Sequence, residues 1–323
     1  MQCVSLSWKS SQNAKVFRLN KLRIVVSFIT LAFLAAIVLR TDLNALGQSL
    51  SRTSWIVVAV CLALVQLQIV LSALRWRFTS RRLGQDIAPL KAIREYYVAS
   101  FLNQTLPGGV GGDAIRAWRM RGDEPGGWRQ PAKAVIFERL SGQIAFFILA
   151  IVGLSVWPLV TQADFGQQLR HYLLFAGALL LAAIVALYVA KPKWATQNAL
   201  REDLAEAFVR RGAWIVQSTT SAGVLSTYVI IFFIAAGATG TQLPWVACLT
   251  IIPFCLVAML IPTGFGGWGT REAAAMALWP LLGAAPLDGL AASITYGWLS
   301  LLGTAPGVIF LAASALKRRP SHA

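Results

Sequence analysis

Histidine is almost missing from this chain: of 323 residues only His171 and His322 carry an imidazole, and they lie far apart. A histidine metal site and a nucleophile–histidine dyad therefore lack their usual partner. Cysteine is nearly as sparse. Cys61, Cys248 and Cys255 fall inside hydrophobic runs and Cys3 is near the N-terminus, so there is neither a disulfide framework nor paired metal-ligand spacing. No Gly-x-Ser-x-Gly elbow appears. Gly108 to Ile115 lacks the Gly-Lys-Ser/Thr ending of a phosphate-binding P-loop. The looser match of Gly109, Gly111 and Ala114 to a dinucleotide fingerprint has no strand–helix–strand unit around it. No cofactor and no ATP site are expected. A membrane-embedded acid/base pair drawn from Asp113, Glu138 and Glu272 stays open as an enzymatic alternative.

Acidic residues are also few, 13 Asp and Glu against 29 Lys and Arg, which leaves a net charge of +16. The basic residues sit mainly between hydrophobic runs, as the positive-inside rule produces, so no nucleic-acid partner is expected. What the chain does have is apolar length: 57% hydrophobic residues and a mean hydropathy of +0.63. That is membrane composition, with several runs long enough to cross a bilayer.

The reading along the chain is an all-α polytopic membrane protein with six full spans and two re-entrant hairpins. Residues 1–23 form a basic cytoplasmic N-terminus, 24–316 a single transmembrane domain, and 317–323 a cytoplasmic tail containing Lys317, Arg318 and Arg319. The run from Ile24 to Leu39 ends at Arg40 without a small-residue cleavage site and reads as a retained helix. Further spans are expected at 55–74, 144–160, 172–190, 213–237 and 290–314, with a short surface helix at 200–211. Arg75, Arg77, Arg81, Arg82, Lys91 and Arg94 mark a cytoplasmic segment. Ile93 to Leu106 is too short to span and has basic residues on both sides, so it reads as a re-entrant hairpin entered from the cytoplasm, with an interfacial helix as the alternative. Glu138-Arg139 reads as the cytoplasmic mouth of the 144–160 helix. Ser218, Thr219, Thr220, Ser221, Ser226 and Thr227 read as helix–helix hydrogen-bonding points.

Two glycine-rich breaks organise this layout. The run Pro262 to Glu272 places Arg271 and Glu272 in a region, Gly212 to Leu316, whose only other formal charge is Asp288. A charge there is costly, about 2.5–3.5 kcal/mol for a central Arg. Broken backbone at that depth survives only against protein or a wet cavity. At a constant offset of 155 residues the run repeats Pro107 to Arg116: Pro107 falls on Pro262, Gly109 on Gly264, Gly111 on Gly266, Gly112 on Gly267 and Arg116 on Arg271. Glycine-interrupted segments in corresponding positions of two halves point to a transporter with internal repeats. The half-repeats would be roughly 24–160 and 172–314. Counting spans from the tail puts 238–244 and 284–289 outside, so the second hairpin enters from the opposite side and the repeat is inverted. Chance similarity in a chain of 26 glycines is the competing account.

Arg116 and Arg271 each follow a turn whose free N–H groups favour an anion, and each brings a planar donor fork suited to phosphate. The alternatives are topological charge for Arg116, which lies among Arg119, Arg121 and Arg129, and an internal ion pair with Glu272 or Asp288 for Arg271.

At these residues the sequence resembles a known family. Asn103 to Arg116 looks like its first signature, Glu138-Arg139-Leu140-Ser141-Gly142 like a second and Pro262 to Glu272 like a third. The family is the lysylphosphatidylglycerol synthase transmembrane region, the flippase-like domain of multiple-peptide-resistance proteins, and the likeness covers about residues 20–315. It implies movement of a lipid or lipid-linked headgroup between leaflets. In bifunctional relatives a soluble aminoacyl-transferase domain follows. The sequence stops at Ala323, so a stand-alone member is expected, and synthesis of an aminoacyl lipid is not. The candidate substrate-binding set is Arg116, Arg271, Glu272, Asp113, Asn103, Glu138 and Arg139. The expected partners are membrane lipids with anionic, aminoacylated or glycosylated headgroups, and a separate lipid-modifying or glycosyl-transferring enzyme as the alternative. A protonatable Glu272 is the candidate for coupling to an ion gradient. The expected location is the cytoplasmic membrane with both termini inside.

Overall fold

The computed structural model describes residues 54–106, 109–124, 126–161, 197–260 and 267–316. Among these the regular structure is helical throughout, with no strand. The expected spans at 24–39 and 172–190, the basic N-terminus and the tail all lie outside the described residues.

The first helix, α1, runs Trp55–Arg82. Ser54 caps it, its Oγ accepting the Val57 N–H at 3.4 Å, and Arg81 and Arg82 stand in its last turn against the negative end of the dipole. It passes the expected end at 74 because Arg75 is buried rather than exposed. Next come α2, Pro89–Thr105, begun by a proline at a first-turn position that needs no N–H, and α3, Gly111–Arg119. The fourth, α4, spans Arg129–Thr161. It starts well before the expected residue 144, so Glu138 and Arg139 lie inside it and not at its mouth. The short helix expected at 200–211 is α5, Gln197–Phe208. Then follow α6, Ala213–Ala238, a 3-10 turn at Trp245–Cys248, α7, Ile251–Ala258, and α8, Thr270–Leu278. The last pair is α9, Pro286–Thr304, and α10, Pro306–Leu316. They form one span interrupted at Ala305, where Pro306 has no N–H to continue the ladder.

Among the described residues four helical segments are long and apolar enough to cross a membrane: Trp55–Arg82, Arg129–Trp157, Arg210–Ala238 and Pro286–Ser314. The outer face of α4 carries exposed Ile144, Ile148, Ile151 and Val152. A contiguous apolar stripe of this kind suits hydrocarbon and not water.

The offset that aligned the two glycine breaks also aligns the helices. Shifted by 155, α1 falls on 210–237, against Ala213–Ala238 for α6; α2 falls on 244–260, against the 3-10 turn and α7; α4 falls on 284–316, against α9 and α10. Each half therefore runs long helix, broken hairpin, long helix. The halves are joined through α1 packed on α6, and α9 bridges both of these. Within the second half, Phe232 of α6 stacks on Tyr296 of α9 with ring centroids 5.0 Å apart and tilts against Trp279 at 5.7 Å. Trp76, Trp279 and Tyr296 are almost wholly buried. Asp288 takes no part in this core. Its carboxylate accepts the Ala285 N–H at 3.3 Å at the start of α9.

Candidate functional site

Both breaks border one cavity of about 320 Å³. The first contributes Asn103, Gly109, Val110 and Asp113, and the second Gly267 and Arg271, with Arg139 of α4 between them. Along α1 the lining runs from Val65 to Arg75, a rise of about 15 Å, or half a hydrocarbon core. Pro107, Pro262, Gly264 and Gly266 lie outside the described residues.

The first break is closed by Asn103. Its Oδ1 accepts the N–H groups of Gly112 at 2.8 Å and Asp113 at 3.3 Å, while its Nδ2 donates to Asp113 Oδ2 at 3.1 Å. An amide is the side chain that can do both. Two of the N–H groups expected to be free for an anion are thus taken by the protein. Gly112 is needed for another reason: a Cβ there would run into the Ala99 carbonyl, so α3 can lie backbone to backbone against α2 only with glycine at this position.

Behind the break sits a charge cluster. Glu138, with no exposed surface, lies 2.6 Å from Arg75 Nη2 and 3.2 Å from Arg116 Nη2, and accepts the Tyr96 hydroxyl at 3.2 Å. Asp113 pairs with Arg116 at 2.9 Å and with Arg139 Nε at 2.7 Å. Arg75 Nη1 donates to Ser221 Oγ at 2.8 Å, and Ser221 also bonds Ser141 at 2.8 Å. Ser221 is therefore the helix–helix contact expected, with an ion-pair role added. Three arginines (Arg75, Arg116, Arg139) face two carboxylates (Asp113, Glu138), which leaves one net positive charge when the acids are ionised. Desolvated ions are tolerated only when paired in this way.

Arg116 does not line the cavity. Its guanidinium is enclosed between the rings of Trp76 and Tyr96, at 4.4 and 4.5 Å. Among the described residues its Nε and Nη1 have no hydrogen-bond partner, and the ring faces stand in for one. Arg75, Asp113 and Arg139 all reach the cavity, and of these Arg139 is the most open, with 40% of its side chain exposed.

The second break ends in Gly267 and Gly269, whose φ values of 86° and 93° are open to glycine and strained for other residues. Glu272 Oε2 accepts the Gly269 N–H at 2.5 Å and so caps α8. Its Oε1 accepts Arg271 Nη2 at 2.6 Å and Nε at 3.2 Å, and the Ser293 hydroxyl at 2.9 Å. All four contacts donate to this carboxylate, which serves as cap and counter-ion. Arg271 also donates to Ser293 Oγ at 2.8 Å and lies between Trp268 at 5.1 Å and Tyr296 at 4.9 Å. Of the two ion pairs weighed from sequence, the one with Glu272 forms, and Asp288 is spent elsewhere.

The structure thus gathers Asn103, Asp113, Arg116, Glu138 and Arg139 into one cluster and Arg271 with Glu272 into a second. Sequence reasoning missed Arg75, Tyr96, Ser293 and Tyr296. Arg75 was grouped with topological charges, although Ser72 and Thr79, three and four residues away, share its buried helix face. Nothing in the sequence marked Tyr96 or Tyr296 as an arginine platform.

Fold and site together define a polytopic α-helical membrane protein, built on a repeated broken hairpin, with ion pairs buried beside a shared cavity. The chain belongs to the lysylphosphatidylglycerol synthase TM region family, whose model matches residues 21–307. Comparison with curated proteins gives no match. Membership ties the protein to the membrane and to lipid-related function.

Proposed function

We propose that the protein moves a phospholipid or lipid-linked headgroup between the leaflets of the cytoplasmic membrane, without changing it covalently. The supporting observation is that both broken hairpins border one cavity that presents Arg139 and Arg271 from opposite halves of the repeat. A headgroup would enter this groove while its acyl chains stay in lipid. Arg139, not Arg116, is the phosphate contact in the first half, since Arg116 is enclosed by rings and carboxylates. With Glu272 engaged by four donors, its part in this reading is to hold Arg271 in place and not to carry a proton. The basic residues between spans support termini on the cytoplasmic side.

The test is leaflet movement of labelled lipids in liposomes holding the purified protein, with anionic, aminoacylated and glycosylated headgroups compared. Movement of one class, lost in Arg139→Gln, is the expected outcome. A new lipid product in the extract would instead mean an enzyme. No movement of any class until a lipid-modifying enzyme is added would mean an accessory subunit.

A further inference from the structure

Away from the cavity, a second cleft of about 310 Å³ opens where α1 ends and the α5–α6 turn begins. Phe78, Arg81, Arg82, Glu206 and Arg211 line it, three cations against one carboxylate. The three arginines do different work. Arg82 is used structurally: Nε donates to the Glu206 carbonyl at 3.0 Å, Nη2 donates to the Arg210 carbonyl, and the guanidinium lies 5.6 Å above the Phe78 ring. It fastens the end of α1 to the turn. Arg210, beside the cleft, takes the Glu206 carboxylate at 2.9 Å. That hydrogen bond, with Arg82 and Arg211 nearby, holds the Glu206 carboxyl below its usual range. Arg81 and Arg211 are left exposed, and among the described residues neither guanidinium makes a hydrogen bond or ion pair.

Arg211 has φ 51° and ψ 38°, the only non-glycine residue with positive φ among those described. This conformation costs an arginine backbone energy that glycine or asparagine would avoid. Such outliers persist where the surrounding structure over-determines them, and they cluster at ligand clamps and other functional sites.

Position indicates the function here. The cleft lies at the ends of two packed membrane-crossing segments, Trp55–Arg82 and Arg210–Ala238, which places it at headgroup depth. Beside it Val209, Trp214 and Ile215 are exposed, an apolar rim with a tryptophan of the kind that sits at bilayer interfaces. Two uncommitted guanidinium forks above an apolar rim fit a phosphate that carries acyl chains.

We propose that this cleft is a second site, distinct from the cavity, which holds the phosphate of an anionic phospholipid between Arg81 and Arg211. The lipid bound there is a fixed lipid joining α1 to the α5–α6 turn and is not cargo.

The test is native mass spectrometry of the full chain from micelles doped with phosphatidylglycerol or phosphatidylcholine, together with thermal unfolding in the same micelles. Wild type, Arg81→Gln, Arg211→Gly and Arg139→Gln are compared. Arg211→Gly removes the side chain while easing the backbone, so its melting temperature without added lipid is expected to equal or exceed wild type. Its affinity for one phosphatidylglycerol is expected to fall about tenfold, and so is that of Arg81→Gln. Arg139→Gln removes a cargo contact and is expected to leave the lipid of this cleft bound, and phosphatidylcholine binding is expected to be the same in wild type, Arg81→Gln and Arg211→Gly. Unchanged phosphatidylglycerol binding in both Arg81→Gln and Arg211→Gly overturns the site. Displacement of the lipid by inorganic phosphate at comparable concentration overturns the lipid assignment in favour of a free anion.

Discussion

Arg116 and Arg271, 155 positions apart and equivalent in the repeat, each lie between a tryptophan and a tyrosine ring: Trp76 with Tyr96, and Trp268 with Tyr296. The rings are not themselves equivalent, since neither tryptophan nor tyrosine maps onto its counterpart at the common offset. The two halves reach the same enclosure of a guanidinium by different routes. What the halves share is a requirement, a desolvated cation held without a full set of hydrogen bonds, and aromatic faces meet it.

If that enclosure is architectural, Arg116 and Arg139 separate by assay. Arg116→Gln is expected to lower the unfolding temperature in detergent markedly, because it leaves buried Glu138 and Asp113 short of a partner, a change typically worth about 3–5 kcal/mol. Arg139→Gln, at a half-open side chain, is expected to leave the unfolding temperature within a few degrees and to lose lipid movement. Equal loss of stability in both would refute the division of labour.

Glu138 is the hub on which the first cluster depends. Glu138→Ala strands Arg75 and Arg116 and is expected to cost about 3–5 kcal/mol. Combining it with Arg75→Met is expected to restore part of the loss, since one uncompensated charge goes. A double variant no more stable than the single would show that Arg75 is not coupled to Glu138.

Asn103→Ala removes the cap of α3 and is expected to cost about 1–2 kcal/mol. Asn103→Asp keeps an acceptor for the Gly112 and Asp113 N–H groups but sets a second carboxylate against Asp113. It is therefore expected to recover little. An Asp variant as stable as wild type would contradict this account.

Gly297 has a use visible only in three dimensions. A Cβ there would meet the Arg271 guanidinium and the Trp268 ring, so Gly297→Ala is expected to push Arg271 off Glu272 and cost about 1–3 kcal/mol. Thermal unfolding checks the cost. Gly237→Ala, with open space around it, is the control expected to show no loss.

The lipid-facing architecture was legible because hydrocarbon imposes apolar length, and the repeat because glycine and proline punctuate backbone that nothing else can break. The offset found at Pro107 and Pro262 went on to match α1 with α6 and α4 with the α9–α10 pair. Charge was legible less well. Reading Arg75 as topological and Glu138-Arg139 as a helix mouth assumed that charges near a span's end face water. Here the span begins earlier and a neighbouring helix supplies counter-ions, which no local pattern encodes. Some of the anion-binding N–H groups expected after each break were likewise taken, those of Gly112 and Asp113 by Asn103, nine and ten residues earlier, and that of Gly269 by Glu272.

The unequal charge of the two clusters has an electrical consequence. Arg271 with Glu272 sums to zero, while Arg75, Arg116 and Arg139 against Asp113 and Glu138 leave one positive charge, and a monoanionic phosphate on Arg139 would cancel it. A membrane potential acts on charge at about 2.3 kcal/mol per elementary charge per 100 mV, so any part of that field crossed by the first cluster would bias the empty protein and leave the loaded one untouched. Voltage would then set how fast the protein resets and not how fast it carries. Liposomes clamped at opposite potentials should differ in steady turnover and agree in a single loaded passage.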